Sequence, residues 1–194
     1  TLSETDLYNA LTRVFILLND LWASDPLHQS PHENDSGTTA TVAIIISQKA
    51  LWVANVGDSR AVLGQDGLAI QLSEDAKPTL EKYYYEILYR GGNILWGRVD
   101  GNLDMARSVG DVNHPSVSAR PTIKKFDLGK LPKNKQNLLI IACDGLWSVV
   151  DPQMAIDAIK GKSATEAAEH LKILAYTKGS WDNVTIMTVD LSSS

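Results

Sequence analysis

A chain of 194 residues, 44% hydrophobic and 21% charged, is long enough for one sizeable core and reads as a single soluble globular domain, residues 1–194. Lys and Arg number 18 against 23 Asp and Glu, and the net charge of -5 leaves no basic stripe to track a phosphate backbone, which argues against nucleic acid and suits cations better. Cys143 is the one cysteine, so no internal disulfide forms; no apolar run approaches the ~18 residues of a membrane span, and the chain reads as cytoplasmic or nuclear.

The first predicted element is a helix over "SETDLYNALTRVFILLNDLWAS", with Leu7, Leu11, Val14, Leu18 and Leu21 on one face and Ser3 with Asp6 forming a capping box. The polar loop 25–37 follows, and its His28 and His32 read as solvated. Strand patterns at 39–47, 50–56 and 60–64 are joined by "QK" and "GDS", short enough to require hairpins and hence an antiparallel sheet. "QDG" turns the chain into "LAIQLS", and 79–92 reads as a helix stopped by Gly91 and Gly92. "NILWGRV", "PTIKKFDL" and "LLIIAC" resume strands, "PQMAIDAIK" and "ATEAAEHLKILAYTKG" form two helices, and 183–191 is a last strand. Trp52, Trp96 and Trp147 read most simply as core or helix-face residues.

One geometric inference concerns chemistry. The strand ending at Asp144 leads into a pair of helices that return the chain to the edge it left, and the last strand starts there. Asp144 and Asp182 then meet at the ends of neighbouring antiparallel strands. Two carboxylates at a dry sheet edge repel unless a cation separates them, and a hard divalent ion is the economical answer. Asp58 in "NVGDSRAV" and Asp111 in "ARSVGD" are further candidates, although Asp beside Gly is also an ordinary turn signature: Asp58 can close its turn and pair with Arg60, and Asp111 can satisfy backbone amides. No phosphate-cradling glycine loop, zinc-binding histidine motif or thiol-phosphatase pattern occurs, and "DGNLD" at 100–104 reads as a turn because Met105 stands where a calcium loop needs glycine.

The motifs "SGTTAT", "VANVGDSRAVL", "LSEDAKP", "RGGNI", "ARSVGD", "ACDGLW" and "GSWDNVT", in this order from Ser36 to Thr185, resemble those of the metal-dependent protein serine/threonine phosphatases of type 2C. The resemblance implies an α+β fold, an antiparallel β-sandwich flanked by helix pairs. It also implies two Mg²⁺ or Mn²⁺ ions that activate a water for attack on a phosphoserine or phosphothreonine in a protein substrate. Transferred onto this sequence, Asp144 and Asp182 are metal ligands and Asp58 is a ligand of an accessory ion. The family's upstream segment, with its acidic pair, arginine and "DGHG" motif, has no counterpart here. Ser148 stands where the pattern usually has a second aspartate, and Ala76 replaces a histidine. These departures lead to the expectation of a degenerate or incomplete pseudophosphatase-type interaction module with a protein partner, the alternative being an active phosphatase whose upstream segment lies outside this chain.

Overall fold

The computed structural model describes residues 3–25, 36–132 and 134–192, so His28 and His32 lie outside the described residues. Its elements are α1 (Glu4–Ser24), β1 (Gly37–Thr38), β2 (Ala40–Ile46), β3 (Ala50–Val56), β4 (Arg60–Gln65), β5 (Leu68–Gln71), α2 (Glu81–Tyr89), β6 (Ile94–Leu95), β7 (Arg98–Val99), β8 (Val109–Gly110), β9 (Thr122–Asp127), β10 (Asn137–Ala142), α3 (Asp144–Trp147), α4 (Pro152–Ala158), α5 (Ala164–Thr177) and β11 (Ile186–Asp190). They fall into two compact units: Thr1–Ala40 with Ala54–Asp58 and Asp75–Ile123, and Thr41–Val53 with Ser59–Glu74 and Lys124–Ser194.

In the first unit, Ala76, Tyr83, Ile87, Val99, Ala106 and Val117 form a small buried core. Arg107 lies 5.0 Å from the centre of the Tyr83 ring and donates to Glu86 at 2.8 Å, a pair that holds α2 against the "ARSVGD" segment. The short pairing Gly37↔Gly110 and Thr38↔Val109 explains two of the glycines: a Cβ on Gly37 would collide with the Asp111 carboxylate, and Gly110 sits at φ +92°. α1 starts as expected, with the Ser3 hydroxyl accepting from Asp6 N–H at 3.1 Å. Its buried stripe differs: Leu11 and Phe15 are buried and the Asn19 side-chain oxygen accepts from Gly110 N–H at 3.0 Å, while Val14, Leu18 and Leu21 are more than half exposed. Apolar residues lie on nearly every side of this helix, so periodicity alone could not pick the face.

In the second unit, β11–β10–β4–β5 form an antiparallel sheet, and a further sheet of the described residues has the order β2–β3–β9. Side chains alternate strictly across β10. Leu139 and Ile141 join Ala61, Leu63, Leu51, Val53 and Phe126 between the sheets, whereas Leu138, Ile140 and Ala142 face α4 and α5 through Ile156, Ala167 and Leu171. This is the expected sandwich with a helix pair on its outer face.

The "GDS" segment does not close a hairpin. β4 uses both edges, pairing with β10 on one side and β5 on the other, so the chain turns a corner at Gly57 (φ +93°) and changes sheets. "NILWGRV" folds as the small hairpin β6–β7 rather than one strand, and Trp96, at φ +52° in its turn, is 91% exposed instead of core. Trp52 and Trp147 are buried as expected.

Candidate metal centre

Asp144 follows the central strand directly. β10 ends at Ala142, and Asp144 opens the single helical turn α3, a break the apolar run in sequence did not reveal. That turn is firmly held: Leu146 is fully buried, and the Trp147 indole N–H donates to Ala142 O at 3.0 Å and to Arg60 O at 3.2 Å, with the Arg60 guanidinium 5.3 Å from its ring centre. Ser148 N–H donates to Asp144 O at 2.8 Å and closes the turn.

Asp182 reaches the same place from the other side of the ladder. β10 and β11 are antiparallel neighbours whose last registered pair is Ala142↔Ile186. Beyond it Cys143 continues the pairing: its N–H donates to Thr185 O, its thiol donates to Asn183 O, and its sulfur accepts from Thr185 N–H, all at 3.2 Å. Ser180 Oγ donates to Gly145 O at 2.6 Å, and the Asp182 carboxylate accepts from Asn183 N–H at 2.6 Å. Gly145 is required here, because any Cβ would run into the Asn183 carbonyl.

The result is an open cleft of about 320 Å³ lined by Asp144, Gly145, Ser148, Val149, Gly179, Ser180, Trp181 and Asp182. Thus the two carboxylates paired by sequence reasoning do line one cleft. The dry sheet edge does not exist, however: Asp182 is exposed, and water screens the repulsion that the argument invoked. What remains is a donor set of hard carboxylate oxygens in a water-filled recess, which fits Mg²⁺ or Mn²⁺ and does not fit a thiophilic metal.

Asp58 belongs to the first unit and is 3% exposed. The Lys77 ammonium, not Arg60, is its ion partner, at 2.5 Å, and it also binds Asp104 at 2.8 Å. Asp58 and Asp104 have carboxylate oxygens within 4.8 Å of each other. Burial opposes the charge on Lys77, but its hydrogen bonds to Asp104 and Asp58 outweigh that cost and hold it above the usual lysine value. An accessory ion here would have to displace that ammonium. Asp111 is buried behind Gly37, with its N–H donating to Ser36 O at 3.1 Å. Sequence reasoning missed Asp104, which stands in a segment read as a turn, and Lys77, and left Trp181 unread.

A family model described as "Protein phosphatase 2C" matches residues 2–184. "Probable protein phosphatase 2C 39" of Arabidopsis thaliana is 42% identical over 162 residues, covering 79% of this chain and 53% of the relative. "Probable protein phosphatase 2C member 13, mitochondrial" of Oryza sativa subsp. japonica is 39% identical over 160 residues, covering 80% of this chain and 43% of the relative. The chain therefore spans about half the length of these curated relatives. Among solved structures, a phosphatase from Toxoplasma gondii superposes with a TM-score of 0.71 at 20% identity, over 93% of this chain and 73% of the other. A Caenorhabditis elegans sex-determining protein superposes with a TM-score of 0.73 at 22% identity, over 96% of this chain and 53% of the other. Both show the same fold. By its sequence from residue 2 to 184 and by this fold, the chain belongs to the protein phosphatase 2C family.

Proposed function

We propose that this chain supplies part of the catalytic centre of a divalent-metal-dependent protein phosphatase acting on phosphoserine or phosphothreonine in protein substrates. The observation that carries the reading is the convergence of Asp144 and Asp182 on one open cleft, in a chain whose relatives are named as phosphatases. The 194 residues are taken as part of one domain, since a single family model spans residues 2–184. The single thiol favours the cytoplasm or nucleus.

Asp144 and Asp182 would hold the metal, with two ions of Mg²⁺ or Mn²⁺ expected from the family and Asp58 as an accessory ligand. A divalent ion bound there supplies Lewis-acid activation of phosphoryl transfer to water. The chain's own residues do the positioning. Asn183 N–H orients the Asp182 carboxylate, Ser180 ties its loop to Gly145, and Trp147 anchors the turn that carries Asp144. Among the described residues no basic side chain lines the cleft, so these residues by themselves do not neutralise a phosphoryl dianion.

In the full natural protein, Mn²⁺-dependent release of phosphate from a phosphothreonine peptide should fall by at least ~100-fold in Asp144→Ala and in Asp182→Ala. Unchanged turnover in either would remove the assignment. A second reading, a pseudophosphatase that binds a protein partner, is favoured by Ser148, a hydroxyl lining the cleft where the family pattern usually has a carboxylate. It predicts a folded, partner-binding protein without turnover at millimolar Mn²⁺.

A further inference from the structure

Trp181 is the least buried tryptophan of the described chain, 100% exposed, and it lies on the wall of the cleft next to Asp182. Its exposure is not the exposure of a loose loop. Gly179 N–H donates to Tyr176 O and Ser180 N–H to Ala175 O, both at 3.0 Å, Ser180 Oγ donates to Gly145 O, and Asn183 N–H donates to Asp182. The backbone leading into Trp181 is therefore tied down, and the indole stands open at the rim. The charged side chains lining the cleft are Asp144 and Asp182, the carboxylates that would hold the metal.

We propose that Trp181 is a specificity residue that contacts the substrate: its ring receives the side chain adjoining the phosphorylated residue and selects arginine there. The inference rests on the phosphatase reading, because a phosphorylated side chain directed at Asp144 and Asp182 leaves its chain neighbour over residue 181. An indole face attracts a planar cation through its ring quadrupole, and a guanidinium stacks on it better than an ammonium. A peptide with leucine at the same place would find apolar contact without that cation–π attraction.

The test uses the full natural protein with Mn²⁺ and phosphothreonine peptides that differ only in the adjoining residue, arginine or leucine. The expected kcat/KM ratio is about fivefold in favour of arginine, expressed mainly in KM, collapsing toward one in Trp181→Ala and partly retained in Trp181→Phe. A ratio of one in the unmodified protein, or a ratio unchanged by Trp181→Ala, overturns the proposal. Should neither peptide turn over, the phosphatase reading falls while this inference remains decidable by calorimetry: an affinity ratio near five that Trp181→Ala removes upholds it, and equal affinities overturn it.

Discussion

A carboxylate as deeply placed as Asp58 needs a counter-charge, and Lys77 provides it while bridging to Asp104. Lys77→Met should leave two carboxylates facing each other and destabilise the protein by about 2 kcal/mol, less than a fully buried pair because Lys77 and Asp104 remain partly open to water. Thermal melts should then show Mn²⁺ raising the melting temperature of Lys77→Met more than that of the unmodified protein, since an added cation can take the vacated place. No extra shift would mean that the carboxylates relax apart instead. Residues of this kind explain what the sequence could and could not disclose. That Asp144 and Asp182 would line one cleft was legible because each lies just beyond the end of a strand, and a helical return brings such ends together. The Asp58–Lys77–Asp104 bridge was not, because its partners stand 19 and 27 positions apart in segments with no periodic signal.

Among the elements, α5 shows how far local chemistry alone can define a boundary. The Ser163 hydroxyl accepts from Glu166 N–H at 3.3 Å and donates to its carboxylate at 2.7 Å, and Glu166 accepts in return from Ser163 N–H at 2.8 Å. These bonds hold the Glu166 carboxyl below its ordinary 4.5. A lowered carboxyl value means that the ionised form stabilises the folded state fully above 4.5, and that this contribution disappears as pH falls through the lower folded-state value. Ser163→Ala should therefore destabilise the protein at neutral pH, with the gap to the unmodified protein narrowing below pH 4.5 in urea titrations. A gap that widens in acid would show that the cap works without the charge. Most strands and helices were readable from such caps, glycine stops and alternating patterns. The corner at Gly57 was not, because a three-residue connection looks the same whether it joins partners in one sheet or strands of two; only the pairing of β4 with β10, far along the chain, decides it.

At the scale of the whole molecule, the described chain leaves Leu17, Leu18 and Leu21 of α1 and Val42, Ile45 and Ile46 of the edge strand β2 open to water. Apolar surface of this kind invites association. The 194-residue chain produced alone should show an apparent mass that rises with concentration in light scattering, and Leu17→Lys combined with Leu21→Lys should reduce that rise; a monodisperse monomer would refute the expectation. The central place of β10 has a separate consequence for biosynthesis. β10 is the partner of both β4, made well before it, and β11, made after it, so β4 waits on the ribosome with one edge unmatched while the intervening chain is translated. The cleft lined by Asp144 and Asp182 thus forms only after β10 has been made. A nascent chain halted before Asn137 offers chaperones an open apolar strand, whereas one halted after Asp190 already contains the four strands β4, β5, β10 and β11.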